Sequence, residues 1–269
     1  MRIGVCVKQV PAGSARMDGE TGVLIRSSAE GVINPYDLFA LEAALRAASA
    51  LQITPGRSAG DGAAEEILAL TMGPPSAERT LREALALGAS SALLLTDSAF
   101  SGADVAATSR TLAGALQKYG VPDLLFCGQQ TTDGDTAQLP FALAARLGIP
   151  AIGWVKEIEY FREDGYSVLQ ELSPGTVRVR GRYPALFAIG REAVQPRAAT
   201  LPRRLAAQKM PITIWGLADL PDPDPRRYGL SGSPTRVRKL YTPIPAIKTP
   251  PLRVDAAGAA SLIHQALAE

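Results

Sequence analysis

Short apolar runs alternate with longer segments of helical periodicity along the first half of the chain. In the longer segments apolar residues recur every three or four positions, which is typical of a helix buried on one face. The predicted strands are Ile3–Val7, Ile67–Met72, Ser91–Leu95 and Leu124–Cys127, and the predicted helices are Tyr36–Ala50, Ala77–Leu87 and Val105–Tyr119. Asn34-Pro35 caps the first helix and Gly88 ends the second. Repeated strand–helix units predict an α/β fold, an open and mostly parallel sheet with helices on both faces.

The alternation of strands and helices ends after Pro150, where strand-like segments follow one another without helices between them. Asp164-Gly165 and Pro174-Gly175 are typical of hairpin turns. The predicted strands around these turns are Ile152–Phe161, Ser167–Leu172 and Thr176–Arg182, with a buried strand, Ala185–Ile189, after them. We therefore expect an antiparallel hairpin extension of the sheet.

The segment from Gln195 onward is irregular and rich in proline and arginine. Its acidic residues between positions 201 and 250 are Asp219, Asp222 and Asp224, and basic residues outnumber them. Such a segment cannot build a core of its own. We predict a nucleotide-binding α/β domain over residues 1–194 and an extended C-terminal arm over 195–269. The arm is loosely ordered or lies along another surface, and it ends in a helix over Ala256–Ala268.

Composition and charge exclude several classes of protein. Hydrophobic residues make up 46% of the 269 positions and charged residues 20%, a balance typical of globular proteins. Because 28 Lys and Arg face 26 Asp and Glu, we expect no nucleic-acid partner. No apolar run reaches the roughly 18 residues that a membrane-spanning helix needs, and the N-terminus resembles a first strand rather than a secretory signal. Cys6 and Cys127 lie in apolar runs, which favours buried thiols in a reducing cytoplasm.

Histidine chemistry has almost no basis in this sequence. His264 is the only histidine, and no cysteine or carboxylate cluster surrounds it. Ser-His-Asp catalysis, histidine acid–base catalysis and histidine metal sites are therefore not expected. We predict no catalytic residue and no metal site, and we interpret His264 as a solvated helix residue.

An unusually polar loop, GQQTTDGDTAQLP at residues 128–140, follows the strand Leu124–Cys127. Ligands of open α/β sheets bind outside the carboxyl ends of the strands. Gly128 and Gly134 allow a close approach of the backbone to a ligand. Thr136 stands where a helix N-cap is expected, and free N–H groups at a helix start favour a phosphate.

The other side chains of this loop suit the rest of a nucleotide. Pro140 falls in the first turn of the expected helix, Asp133 or Asp135 could hold ribose hydroxyls, and Gln138 offers amide contacts. Two other interpretations stay open, namely a structural turn with a capping hydroxyl and a cation site for an ion such as Mg²⁺ on the two carboxylates. The chain contains neither G-x-x-x-x-G-K-[ST] nor G-x-G-x-x-G, so the two best-known phosphate loops are absent.

The chain resembles the β subunits of electron-transfer flavoproteins along nearly its full length. The blocks that match in order and spacing are VCVKQVP (5–11), INPYDLFALEAALR (33–46), LALTMGP (68–74), LREALALGA (81–89), GQQTTDGDTAQLP (128–140) and QPRAATLPRRLAAQK (195–209). The resemblance implies a Rossmann-like fold with a C-terminal arm that reaches over an α subunit in a heterodimer. It also implies that the heterodimer carries electrons between acyl-CoA or other dehydrogenases and a quinone reductase or ferredoxin.

The resemblance further implies a site for AMP, or for a second FAD, that is formed largely by backbone groups. The residues it places there are Cys6, Asn34, Pro35, Tyr36, Asp37, Met72, Gly128, Gln129, Gln130, Thr131, Thr132, Asp133, Gly134, Asp135, Thr136, Ala137, Gln138 and Leu139. Cys6 and Met72 are core residues at the same time, since a strand-end side chain can pack while its backbone faces the ligand. Leu201 matches the family's leucine that anchors a dehydrogenase, with a buried loop residue as the alternative.

The loop departs from the pattern of AMP-binding members, which tend to carry Asp-Asp-Asp-x-Asn-Gln. Here the corresponding residues 133–138 read Asp-Gly-Asp-Thr-Ala-Gln and resemble the branch that holds a second FAD and bifurcates electrons from NADH. Gly134 and Ala137 are small and leave room for a bulkier ligand. That branch often has Gly-Pro near the end of the loop, where this chain has Leu139-Pro140, so AMP remains the alternative to FAD.

We therefore expect an electron-carrier subunit that is not an enzyme on its own. In the bifurcating branch the heterodimer would oxidise NADH, with the flavin doing the redox chemistry and the protein supplying its placement. The rival hypotheses are an ATP-binding enzyme and a nucleotide-sensing module of a related α/β fold. The enzyme needs a triphosphate loop after the first strand, and Lys8–Ser14 lacks a suitable glycine-serine cluster.

Overall fold

The computed structural model describes residues 1–12, 16–17, 24–25, 31–53, 66–236 and 252–268. The helices in these ranges are α1 (Pro35–Ala50), α2 (Glu78–Leu87), α3 (Val105–Tyr119), α4 (Leu139–Leu147), α5 (Leu201–Ala207) and α6 (Ala256–Ala268). The strands are β1 (Arg2–Cys6), β2 (Gln9–Pro11), β3 (Arg16–Met17), β4 (Leu24–Ile25), β5 (Gly31–Ile33), β6 (Glu66–Met72), β7 (Ser91–Leu95), β8 (Leu124–Gly128), β9 (Ala151–Arg162), β10 (Gly165–Leu172), β11 (Gly175–Gly181), β12 (Ala185–Ile189) and β13 (Thr213–Trp215).

The main sheet has nine strands in the order β11-β10-β9-β12-β8-β1-β6-β7-β13. Within the sheet, every pair of neighbours in the stretch β9-β12-β8-β1-β6-β7-β13 is parallel. Strand β10 runs antiparallel to both of its neighbours, β9 and β11. Two small antiparallel pairs, β2 with β5 and β3 with β4, stand beside it. The predicted α/β class, with a mostly parallel sheet and an antiparallel hairpin extension, is confirmed.

Apolar side chains cover both faces of this sheet. Ile3 and Val5 of β1 belong to a buried cluster with the apolar faces of α1 and α2. Leu68 and Leu70 of β6 belong to a second cluster with α3 and α4. Since successive residues of a strand point to opposite faces, the central strands β1, β6, β7, β8 and β12 contribute to both clusters. The predicted helices on both faces are therefore confirmed.

The strand order reverses at the centre of the sheet. From β1 the chain passes to β6 and β7 on one side, and β8 and β12 then lie on the other side. Carboxyl ends of parallel strands on either side of such a reversal enclose a crevice, which is where ligands bind in open α/β sheets. The crevice lies between Cys6, at the end of β1, and Gly128, at the end of β8.

Most predicted elements agree with the structure, but one helix boundary differs and the short elements β2, β3, β4, β5, α5 and β13 were not predicted. The segment Pro75–Ala77 is a 3-10 turn, so α2 begins at Glu78 rather than at Ala77. The arm contributes an unpredicted strand, β13, which pairs with β7 through the registers Thr213 with Leu93 and Trp215 with Leu95. A strand of three residues is too short to show a period in the sequence.

The final helix occupies the predicted range, Ala256–Ala268, and its residues are largely exposed. His264 is exposed on this helix, as predicted. Residues 13 and 14 of the first predicted loop, and residues 237–251 of the arm, lie outside the described residues. Within the described ranges, no helix combines the length and hydropathy needed to cross a bilayer.

Candidate functional site

Asp37 joins three segments at the crevice. It lies in the first turn of α1 and is 5% exposed. Its Oδ2 accepts the N–H of Lys8 at 2.7 Å, and its Oδ1 accepts the N–H of Gly128 at 3.2 Å. Burial raises the pKa of Asp37 to about 7, against the opposing effects of the Lys8 N–H, the Asn34 side chain and the Gly128 N–H.

Gly128 is required at the end of β8 by this contact. A Cβ added there would lie 2.5 Å from Oδ1 of Asp37 and 2.7 Å from the carbonyl carbon of Tyr36. A side chain would therefore push α1 away from the sheet. The glycine lets the start of the helix and the start of the loop approach each other directly.

Asn34 attaches the polar loop to the start of α1. The residue is fully buried, and its side chain makes no capping bond with the helix, although it stands at the N-cap position with Pro35 behind it. Instead, Nδ2 donates to the carbonyl oxygen of Gln130 at 2.9 Å, and Oδ1 accepts the N–H of Thr132 at 3.3 Å. Nε2 of Gln130 donates to the hydroxyl of Tyr36 at 3.0 Å. The predicted cap position is confirmed, but its amide serves the loop.

Lys8 and Asp133 form an ion pair across the crevice. Nζ of Lys8 lies 2.7 Å from both carboxylate oxygens, and Oδ1 also accepts the N–H of Gly134 at 2.7 Å. Partial burial opposes ionisation of Asp133, but the hydrogen bond and charge of Lys8 outweigh it and hold the pKa of this carboxyl below its usual value. Because Lys8 already compensates Asp133, the Mg²⁺ interpretation loses one of its two ligands. No group of three metal-ligating side chains occurs among the described residues.

The loop enters α4 later than the sequence predicts. Thr136 is not the N-cap, because α4 begins at Leu139 with Gln138 at the cap. Asp135 and Ala137 have φ angles of 46° and 53°, a left-handed conformation that cannot continue into a helix. Thr136 lies between these two residues and is exposed. Pro140 stands in the first turn, as predicted.

The remaining predicted site residues lie at the same edge of the sheet. Cys6 ends β1 beside Cys127 of β8, and both are free, buried thiols, as expected. The hydrogen bond with Cys6 and burial raise the pKa of the Cys127 thiol well above its usual value. Met72 ends β6 and packs against the apolar core, and the hydrogen bonds that join the loop to α1 do not involve it.

The segment around Leu201 forms a second candidate surface. Leu201 is the first residue of α5 and is 69% exposed, and Leu205 is 60% exposed. The alternative of a buried loop residue is therefore wrong. Arg197 fixes the approach to α5, since its guanidinium bonds both carboxylate oxygens of the buried Glu42 at 2.6 and 3.1 Å.

Sequence reasoning missed two charged residues that organise these surfaces. In the sequence, Lys8 is recognisable only as a basic residue directly after a buried strand. Glu42 is recognisable only as an acidic residue within the apolar face of a predicted helix. Charged residues are almost never buried without a partner, so the position of Glu42 was a usable signal. Its partner, Arg197, stands far away in the sequence and could not be identified without the fold.

Comparison with known proteins identifies the family. A family model described as the electron transfer flavoprotein domain matches residues 21–220. The chain belongs to the electron transfer flavoprotein family. It is similar to the electron transfer flavoprotein subunit beta of Clostridium acetobutylicum, with 37% identity over 90% of this chain and 88% of that protein.

Two further relatives extend the comparison. Protein FixA of Azorhizobium caulinodans is 40% identical over 90% of this chain and 85% of its own length. The caffeyl-CoA reductase-Etf complex subunit CarD of Acetobacterium woodii is 38% identical over 90% of this chain and 88% of its own length. These comparisons confirm the resemblance to electron transfer flavoprotein β subunits and support a role in electron transfer.

Proposed function

We propose that this chain is the β subunit of a heterodimeric electron transfer flavoprotein and binds an adenine nucleotide at the carboxyl ends of β1 and β8. The observation that supports the proposal best is the convergence of the β1 exit, the start of α1 and loop 128–138. Asp37 and Asn34 hold these segments together through four hydrogen bonds. Such a polar assembly at a strand-order reversal suits a nucleotide.

The loop has the properties that a nucleotide site needs. Residues 132–136 are exposed. The N–H groups of Thr132, Gly134 and Asp135 bond within the protein, so the N–H groups of Asp133 and Thr136, near the start of α4, are those that suit a phosphate. Asp135 makes no ion pair among the described residues, which leaves its carboxylate for ribose hydroxyls. A Cβ at Gly134 would meet no atom closer than 3.7 Å, so a ligand can approach that position.

FAD is the preferred nucleotide, with AMP as the alternative in the same site. The open space at Gly134 and the small, half-buried side chain of Ala137 favour the bulkier ligand. When bound, FAD supplies the electron-accepting and electron-donating chemistry. The residues that hold it are the loop Gly128–Leu139, Cys6, Met72 and the α1 start from Asn34 to Asp37.

The protein's own part in electron transfer is placement and docking. Loop 128–139 orients the nucleotide, and exposed Leu201 contacts the donor dehydrogenase, of the acyl-CoA or another class. The acceptor is a quinone reductase or ferredoxin. The chain acts in the cytoplasm as a carrier subunit rather than as an enzyme on its own, and NADH oxidation in a bifurcating reaction belongs to the heterodimer.

Acid extraction of the co-purified heterodimer tests the nucleotide. The chain is co-expressed with an α subunit, and the released nucleotides are separated and counted for each heterodimer. Two FAD support the bifurcating branch, whereas one FAD with one AMP supports the carrier that holds AMP. One FAD without a second adenine nucleotide contradicts the proposed site, and failure to form a yellow complex contradicts the proposed function.

A further inference from the structure

We propose that the ion pair between Lys8 and Asp133 holds residues 133–138, the outer half of loop 128–138, against the end of β1. The positive charge of Lys8 also reduces the repulsion between Asp133 and a nucleotide phosphate. Lys8 is thus a positioning residue for the nucleotide. The second part of this inference rests on the proposed function, whereas the first part concerns the protein alone. We call this ion pair the latch below.

The backbone of Lys8 is fixed from both sides. Its N–H donates to Asp37 at 2.7 Å, and its carbonyl oxygen accepts the N–H of Asn34 at 2.8 Å. Both partners belong to the start of α1, which packs on the sheet. The side chain of Lys8 therefore leaves a rigid base and reaches Asp133 in the loop.

The loop has an inner and an outer attachment. Buried Asn34 binds Gln130 and Thr132, which fixes the inner half. After Thr132, the loop is attached to the end of β1 through the latch. The N–H groups of Gly134 and Asp135 do not reach β1, because they donate to Thr131 and Asp133 within the loop. The next fixed point along the chain is α4 at Leu139. The latch therefore determines the position of residues 133–138.

The two attachments differ in how easily they open. Asn34 is fully buried, so breaking its bonds leaves polar groups without water or partners. The side chains of Lys8 and Asp133 are 42% and 28% exposed. An ion pair open to solvent contributes little free energy and is screened by salt. The outer half of the loop can therefore release and close while the inner half stays in place.

The charges of the latch also matter for a phosphate. The outer half of the loop carries two carboxylates, Asp133 and Asp135, and both disfavour an approaching anion. Lys8 compensates Asp133 directly. Replacing Lys8 alone leaves an uncompensated carboxylate at the site, whereas replacing Asp133 alone leaves an uncompensated cation. The two substitutions thus have unequal effects on nucleotide binding, and their combination restores the charge balance.

Hydrogen exchange on the nucleotide-depleted heterodimer tests the latch without a ligand. Lys8→Gln and Asp133→Asn each remove the ion pair, so amides of residues 133–136 should exchange about threefold faster, as expected for a solvent-exposed pair. Arg226→Gln is the matched control, because it removes the exposed pair between Arg226 and Asp224 in a 3-10 turn of the arm. Unchanged exchange at residues 133–136 in both latch variants overturns the proposal.

Calorimetric titration of the same proteins with AMP tests the charge compensation. Lys8→Gln should raise the dissociation constant about tenfold, the size of one modest charge interaction, and Asp133→Asn should have a smaller effect. The double variant should bind AMP more tightly than Lys8→Gln. A double variant no better than Lys8→Gln overturns the compensation and shows direct contact of Lys8 with the nucleotide. If the unsubstituted heterodimer binds neither AMP nor FAD, the proposed function fails, while the exchange result still decides the latch.

Discussion

The crevice at the end of β1 and β8 differs in its chemistry from the exposed faces of α5 and of α6. In the crevice, polar groups such as Asn34 and Asp37 are buried and bonded within the chain. On the two C-terminal helices, apolar side chains are exposed, with Leu201 at 69% and Leu267 at 81%. In the crevice these buried polar groups are hydrogen-bonded, whereas on the two helices these apolar side chains remain exposed to solvent.

This difference separates the two kinds of binding that we propose. Buried and satisfied polar groups rigidify a site and preorganise it for a small ligand. Exposed apolar side chains, such as those on α5 and those on α6, mark surfaces for other proteins. Substitutions in the crevice should therefore change stability and nucleotide binding together, whereas substitutions on the helices should change association without changing stability.

The largest expected effect is that of Asn34→Ala. It leaves the carbonyl of Gln130 and the N–H of Thr132 without their buried partner, which should cost about 2 to 4 kcal/mol of unfolding free energy. Urea denaturation measures this loss. Asn34→Asp is a companion variant that keeps an acceptor for Thr132 but replaces the donor with a second buried carboxyl group beside Asp37. An Asn34→Ala variant as stable as the unsubstituted protein contradicts the crevice as a preorganised region.

Asp37 should make stability depend on pH. Its folded-state pKa, about 7, is raised above the ordinary value of 3.8, so the native state keeps a proton that the unfolded chain releases. The stabilisation is fully present below the unfolded pKa and is lost as the pH rises through the folded pKa. Between pH 6 and pH 8 the loss should be about 1.4 kcal/mol, measured as a falling urea midpoint.

Asp37→Asn supplies the control for this pH dependence. The variant should be less stable at every pH, because an amide cannot accept both N–H groups, and its profile should lack the fall between pH 6 and pH 8. A fall of the same size in both proteins would assign the titration to another group.

The exposed leucines should show the opposite behaviour. Leu201→Ser should change the unfolding free energy by less than about 0.5 kcal/mol, the usual range for surface positions. Electron transfer from the partner dehydrogenase to the heterodimer should slow about tenfold, as for an interface anchor. Stopped-flow absorbance of the flavin measures that rate, with Leu230→Ser, another exposed leucine, as the control. Equal rates for the two variants would remove Leu201 from the docking surface.

The smallest expected effect concerns the two thiols beneath the crevice. Cys6 and Cys127 are buried, and the pKa of Cys127 is raised. Burial keeps reagents away from both thiols, and the raised pKa also disfavours the reactive thiolate of Cys127, so neither cysteine should react with a water-soluble disulfide reagent until the protein unfolds. Rapid labelling of the native protein would show that the crevice opens down to the sheet.

The sequence predicted the fold well because the strands Ile3–Val7 and Leu124–Cys127 are short apolar runs with clear ends. It also indicates the carboxyl edge of the sheet as the location of the candidate site, because ligands of open α/β sheets bind there, and this location stays a prediction. It missed β13, a strand of three residues whose partner, β7, is distant in the chain. The predicted N-cap at Thr136 was wrong because Asp135 and Ala137, the residues that flank it, both have positive φ, and a positive φ at an alanine is not recognisable from sequence.

Side-chain partners were the part of the site that could not be predicted. Asn34 was correctly placed at a helix start, but its amide bonds a loop that lies about a hundred positions away. The ion pair of Lys8 with Asp133 spans a similar separation. Such contacts follow from the strand order, which a single sequence does not reveal.

Hydrogen exchange with and without added nucleotide tests the central claim most directly. The nucleotide-depleted heterodimer is compared with the same protein saturated with FAD or AMP. We predict that protection rises in loop 128–138 and at residues 34–37, and stays unchanged in the hairpin strands β10 and β11. Protection confined to other segments, with loop 128–138 unaffected, would contradict a nucleotide site at the carboxyl ends of β1 and β8.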